Sequence, residues 1–224
     1  MKRTKLTDRK LPSYTNGEEI FNMASHIVGG GLGIIAIALI SVFAGINKDV
    51  YGIVSGVIFG LTMVILYTMS SIYHGLKGET TAKKVFQIID HCSIFILIAG
   101  TYTPVALCTI RERSPIEGWL IFAVIWALAI IGVTLNSIDL KKYKIFSMVC
   151  YLFMGWLIIV RIRPLIDAVG MKGFYLLLAG GIAYTVGAIF YTFKNIKWMH
   201  SVFHIFCVIG SLLHFLFIFF YVIL

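Results

Sequence analysis

Residues Met199–Leu224 read "MHSVFHIFCVIGSLLHFLFIFFYVIL", with three histidines and no lysine, arginine or carboxylate. As a helix, this stretch is long enough to cross the roughly 30 Å hydrocarbon core of a bilayer. His200 and His204 are four residues apart, so they share one helical face one turn apart. At about 100° per residue, with His200 at the origin, His204, Cys207, Ser211 and His214 all fall within about 40° of it. The remaining faces are mostly Phe, Leu, Ile and Val. A polar stripe on an otherwise apolar membrane helix has to point inward, toward other helices, and that requirement sets the fold class. What the histidine face meets there (a metal, a proton path or a neighbouring helix) depends on the rest of the chain.

The rest of the chain is of the same kind. Of 224 residues, 59% are hydrophobic and 13% charged, and the mean hydropathy is +0.94. A soluble domain of this length needs more charge to cover its surface. The charges are bunched, and the runs between them predict an all-α bundle of seven transmembrane helices at about 21–45, 51–76, 85–109, 117–137, 145–160, 173–193 and 198–224. The fifth is the shortest. Residues 1–20 form a basic tail, and 21–224 a single membrane domain. The first apolar run is too long for a signal peptide and lacks an A-x-A site, so it reads as an uncleaved helix.

Sorted by side, Lys2, Arg3, Lys5, Arg9, Lys10, Lys77, Lys83, Lys84, Lys141, Lys142, Lys144, Lys194 and Lys197 fall on one face of the membrane, 13 of the 19 basic residues. Lys48, Arg111, Arg113, Arg161, Arg163 and Lys172 fall on the other. Cytoplasmic loops accumulate Lys and Arg, so the amino terminus is expected inside and the carboxyl terminus outside a cell membrane. The net charge of +9 then reports topology and contact with anionic lipid, not nucleic acid, for which no reading motif is present. Cys92, Cys108, Cys150 and Cys207 have no C-x-x-C spacing and read as small buried hydrophobes.

Orientation converts position into depth. His26, His74, Asp90, His200 and His204 all come within roughly 10 Å of the cytoplasmic boundary, on four different helices. Asp90 is the one acidic residue well inside a span, and such a residue faces the bundle interior and has a partner. Ser70 and His74 are four apart with Tyr67 on the same face, and Glu19, Asn22 and His26 share a face of the first helix. Neutral imidazoles from two helices beside a carboxylate suit zinc, which takes tetrahedral nitrogen ligands and leaves a position for water in catalytic sites. His200 and His204 supply an H-x-x-x-H pair, and His74 the third ligand. Asp90 then orients the water, and Ser70 donates to a ligand or a developing oxyanion. His91 points about 100° away from Asp90 and reads as packing. His214, about 15 Å deeper than His204, is too far to share the metal.

At these residues, "EExxNxxxH", "SSxYH", "DHxxIFxLIAGTYTP" and the terminal "HxxxH", the chain resembles the hemolysin III proteins of the progestin and adipoQ receptor family, which includes the adiponectin receptors. The resemblance runs from Glu18 to the end of the last helix. It implies a seven-helix bundle with zinc near the cytoplasmic face, held by His74, His200 and His204, with Asp90 on the water and Ser70 as the serine of the S-x-x-x-H motif. It also implies kinship with alkaline ceramidases, hence hydrolysis of a membrane-lipid amide or ester, and it carries an older cytolysin label and a role in membrane homeostasis.

Three functions follow as expectations: a zinc-dependent lipid hydrolase, a receptor-like sensor or homeostasis protein with structural zinc, and a hemolysis-associated protein without hydrolase activity. Other seven-helix classes fit less well. A retinal protein needs a lysine in the last helix, and none lies between Met199 and Leu224. A G-protein-coupled receptor would have the opposite orientation. A proton-coupled transporter is disfavoured by the lack of a paired repeat.

Overall fold

The fold is taken from a computed structural model that describes residues 3–193 and 195–224. Lys2 and Lys194, both used in the charge asymmetry, lie outside the described residues. Helix α1 spans Asn16–Ile46 and starts five residues before the expected apolar run, because Thr15 and Glu18 form a capping box. Thr15 Oγ1 accepts from the Glu18 amide at 3.3 Å, and Glu18 Oε2 accepts from the Thr15 amide at 2.8 Å, which satisfies two of the amides left open at a helix start. Helix α2 is Val50–Gly75, and α3 is Thr81–Pro104, capped by Thr80. Pro104 brings no N–H, and α3 widens directly after it into a π-helical segment, Val105–Ile110, before a last turn at Arg111–Arg113. Helix α4, Pro115–Asp139, opens with proline in its first turn, where a missing N–H costs nothing.

Next come α5 (Lys144–Trp156), a 3-10 segment (Leu157–Arg161) and α6 (Ile162–Thr192). Helix α7, Met199–Ile218, ends in a π-helical segment, Phe219–Ile223. Among the described residues there is no strand, and six helical runs are long and apolar enough to cross a membrane. The expected count was seven. The difference lies in Lys144–Thr192, where the fifth and sixth expected spans join into one helical run of 49 residues.

That run is not a rod. Residues 29 apart on a straight helix are separated by about 43 Å. Yet Trp156 Nε1 donates to Thr185 Oγ1 at 3.1 Å. The reversal falls at Gly170, nearly midway between them, where φ is +69° and ψ 171°. A left-handed φ with extended ψ is open in practice only to glycine, so this residue sets where the chain doubles back.

Helix α1 packs on α2 and α7, α2 on α3, α3 on α4, and α6 on α7. The α1–α2 seam is glycine-lined. A Cβ on Gly60 would lie 2.8 Å from the Gly33 carbonyl oxygen and 2.4 Å from Ile37 Cγ1. Small residues let two helix backbones approach this closely, which is how helices associate when lipid competes for every apolar side chain. The core holds Ile40, Phe59, Met63, Tyr67 and Phe217 in one cluster and Phe95, Ile125, Ala129 and Met154 in another. Outward-facing Ile, Val and Leu stay exposed, such as Ile34 and Ile130, as expected where the solvent is hydrocarbon.

Candidate metal centre and the cavity beside it

His74 on α2 and His200 and His204 on α7 converge, with one ring nitrogen from each within 4.8 Å of the others. His200 Nε2 is 3.4 Å from His74 Nε2 and 3.1 Å from His204 Nε2. The outward nitrogens settle the tautomers. His74 Nδ1 donates to Glu19 Oε2 at 2.5 Å, and a carboxylate only accepts, so the His74 proton is on Nδ1. His204 Nδ1 donates to the Asn22 carbonyl at 3.3 Å, which is likewise an acceptor only. Both Nε2 atoms therefore present lone pairs toward His200.

Such a donor set fits a metal. Tetrahedral zinc with nitrogens at about 2.0–2.1 Å sets neighbouring nitrogens about 3.3–3.4 Å apart. The two separations given above bracket that value. The carboxylate on the far nitrogen of His74 and the carbonyl on that of His204 are the kind of support that fixes the orientation of a metal-binding ring.

One face of α1 builds that support. Glu19 orients His74 and also accepts from Lys83 Nζ at 2.5 Å, while Lys83 Nζ donates to the Leu76 carbonyl at 2.7 Å. Three residues further on, Asn22 accepts at Oδ1 from Ser201 Oγ at 2.7 Å, in addition to its carbonyl contact with His204. Another turn along, His26 stacks on His204 with centroids 3.7 Å apart and planes 11° apart. Glu18 fixes the start of α7. Its Oε1 accepts from the amide of Trp198, a left-handed residue at φ 68°, at 2.6 Å. The shared face of Glu19, Asn22 and His26 is visible in the sequence, but their partners are not.

From outside, Tyr14 covers the histidines. Its ring stacks on His200 at 4.8 Å and 17° and lies 5.8 Å from His74. Burial, then the neighbouring Tyr73, Tyr191, Glu19 and Asp90, pushes the Tyr14 phenol well above its usual range, so it stays neutral. The segment carrying Tyr14 is tethered along its length. The Thr4 amide donates to Asp139 Oδ2 at 2.8 Å, Lys84 Nζ to the Thr7 carbonyl at 3.2 Å, and Arg9 Nη2 to Gln87 Oε1 at 2.9 Å. Reading residues 1–20 by charge alone gave no sign of this cover.

A cavity of about 180 Å³ lies beside the histidines. His200, His204, His26, Ser70 and Asp90 are among its polar lining residues, and Leu66, Ile94, Leu97, Ile98 and Leu152 are among its apolar walls. His74 stands behind this lining. Asp90 is the expected carboxylate, and its Oδ2 is 3.5 Å from His91 Nδ1. His91, read as packing, therefore reaches the cavity as well. Its Nδ1 donates to the Gln87 carbonyl at 2.9 Å, and Nε2 accepts from the Tyr191 hydroxyl at 3.2 Å. The ring folds back to its chain neighbour, which a helical-wheel angle for Cβ positions does not capture. Ser70 Oγ is buried and has no partner among the described residues.

Further along α7, the stripe faces inward as expected. Ser211 Oγ shares hydrogens with the hydroxyls of Tyr67 at 2.6 Å and Tyr184 at 2.5 Å. His214 stands apart from the three histidines, its Nε2 donating to the Leu177 carbonyl at 3.2 Å. All four cysteines are free.

Helices of membrane length, exposed apolar flanks and a buried polar centre define a multi-pass protein of the cell membrane. Residues 14–215 match the profile of the Haemolysin-III related family, and the chain belongs to that family. It is 40% identical over 205 residues to "Hemolysin-3" of Bacillus cereus, covering 92% of each chain. To the "Hemolysin-3 homolog" of Bacillus subtilis (strain 168) it is 38% identical over 208 residues, 93% of this chain and 96% of that one. A more distant likeness, 23% over 175 residues, joins 76% of this chain to 71% of the human "Monocyte to macrophage differentiation factor", in keeping with the progestin and adipoQ receptor kinship expected from the motifs.

Proposed function

We propose that the protein is a zinc-dependent hydrolase of a membrane-lipid amide or ester, serving membrane homeostasis. The observation that carries this reading is the convergence of the His74, His200 and His204 nitrogens beside a mostly apolar cavity that His200, His204, Asp90 and Ser70 line. A zinc ion held by the three histidines would polarise a carbonyl and bring the pKa of a bound water to about 7. The chain's own residues supply the rest. Apolar walls hold an acyl chain and exclude water. Asp90 accepts a proton from the attacking water, and Ser70 Oγ–H, free of other partners, donates to the carbonyl oxygen. Glu19 and Asn22 keep the histidine tautomers fixed while this happens.

The same reading takes the chain to cross the bacterial plasma membrane seven times, with Lys144–Thr192 crossing twice around Gly170. The amino terminus is then cytoplasmic, the carboxyl terminus outside, and residues 21–224 form one membrane domain behind a tail of residues 1–20. The reversal between Trp156 and Thr185 and the distribution of basic residues support it.

A second reading keeps the zinc structural, in a receptor-like sensor or homeostasis protein. The Lys83–Glu19–His74 chain favours it, because that chain already ties α1, α2 and α3 to the histidine centre. Relatives named "Hemolysin-3" keep a third reading, hemolysis without hydrolysis, in play. Asp90→Asn separates the first from the others. It keeps shape and a hydrogen bond but cannot take the proton, so hydrolysis of lipid amides or esters falls by roughly 10²-fold or more at matched zinc content. Full hydrolysis in that variant would sink the enzyme reading.

A further inference from the structure

His26 is not among the three converging histidines, yet it is only 3% exposed and neither of its ring nitrogens has a partner among the described residues. Packing does not account for an imidazole here. The ring stacks on His204 and meets Tyr67 edge-on at 4.9 Å, and a phenyl ring makes both contacts equally well. A neutral imidazole carries one N–H donor and one lone pair, and leaving both buried and unmatched costs free energy that phenylalanine would avoid. His26 lines the cavity together with Ser70, whose hydroxyl is also buried without a partner among the described residues. Two side chains on two helices, α1 and α2, thus offer unmatched donor and acceptor capacity to one chamber whose lining surface is mostly apolar.

We propose that His26, with Ser70, holds the polar head of the molecule that occupies this cavity, a single-chain amphiphile whose head offers both a hydrogen-bond donor and an acceptor, as an amide does. The apolar part lies along α3 between Asp90 and Thr101, both of which line the cavity, a helical rise of about 16 Å. His26 is in this role a ligand-binding residue and not a metal ligand. The inference rests on the reading of the cavity as a lipid site, but it requires neither zinc turnover nor hydrolysis.

The test uses the purified full-length protein in detergent, with dodecanamide as the probe and dodecane as its headless control. Binding, metal content and thermal stability are measured on the same samples. Wild type should bind dodecanamide at least 10-fold more tightly than dodecane. His26→Phe keeps the stacked ring and removes both nitrogens, so it should retain its metal and its affinity for dodecane while the preference for dodecanamide falls to within 3-fold. His26→Gln, which restores a donor and an acceptor, should recover part of the preference. An unchanged preference in His26→Phe overturns the proposal, as does a wild type that shows no preference. Loss of metal together with probe binding would make His26 a support of the histidine centre, and that also overturns it. If His26→Phe does not fold, ¹⁵N-histidine spectra of the wild type, with His26 assigned from His26→Gln, decide instead. Dodecanamide should shift the His26 nitrogens and dodecane should not, and equal spectra with both overturn the assignment. Absence of hydrolysis with intact His26-dependent binding would count against the enzyme reading alone.

Discussion

Replacing Glu19 with glutamine separates its two tasks, orienting His74 and neutralising Lys83. Both contacts are short, and the Lys83 side chain is 6% exposed against 18% for Glu19. Glutamine keeps a carbonyl that still accepts from His74 Nδ1, but it removes the negative charge beside the ring. Losing a partner of this kind typically costs 10–100-fold in metal affinity, or about 1.4–2.7 kcal/mol. Leaving a fully buried charge without its partner costs about 3–5 kcal/mol. Here Glu19 is partly exposed and Lys83 keeps its bond to the Leu76 carbonyl, so about 1–3 kcal/mol of metal-free stability should be lost. The assay is competition for zinc against a chromophoric chelator, with thermal melts of metal-free and zinc-loaded samples. Adding Lys83→Met to Glu19→Gln removes the stranded charge, so stability should return while zinc affinity stays low. Zinc affinity of Glu19→Gln within 2-fold of wild type would refute a role for the Glu19 charge in metal binding. Recovery of affinity in the double variant would show that the first loss was only destabilisation.

Further outcomes follow from the helix seam, the cover and the membrane orientation. Gly60→Ala should destabilise by about 1–3 kcal/mol through overpacking against Ile37 and the Gly33 carbonyl, whereas exposed Gly31→Ala, with open space around its Cβ, should stabilise by up to about 1 kcal/mol. Thermal melts in one detergent compare them, and equal melting temperatures would deny the close approach of α1 and α2. Tyr14→Ala should release zinc to a soluble chelator at least several-fold faster than wild type, with metal stoichiometry unchanged; stopped-flow chelation measures this, and an unchanged rate would show that the tyrosine does not cover the centre. Reporter fusions after residue 224 should be active outside the cytoplasm, and a cytoplasmic signal would remove the orientation used above.

Much of this site was readable from the chain because its histidines obey helix periodicity. The spacings of Ser70 and His74 and of His200 and His204 place each pair on one face without knowledge of any contact. What stayed hidden depends on pairs distant in sequence. Glu19 meets His74 across 55 positions, and Asn22 meets His204 across 182, and nothing local marks either pair. Tyr14 lies in a stretch whose basic charge says only which side of the membrane it occupies, so its stacking on His200 was illegible. The extent of the fifth span was obscured for a different reason. Apolar runs end at charges, and Arg161 and Arg163 broke the pattern while the helical backbone continued to the turn at Gly170.

The central claim is that His74, His200 and His204 hold one zinc ion. Elemental analysis of protein purified without added chelator tests it most directly, on wild type, His74→Ala, His200→Ala, His204→Ala and His214→Ala together. The account predicts about one zinc per chain in wild type and His214→Ala, and strong loss in each of the other three, because a three-ligand site rarely survives removal of one ligand. Metal-free wild type from zinc-replete cells, or equal loss in His214→Ala and His204→Ala, would contradict it.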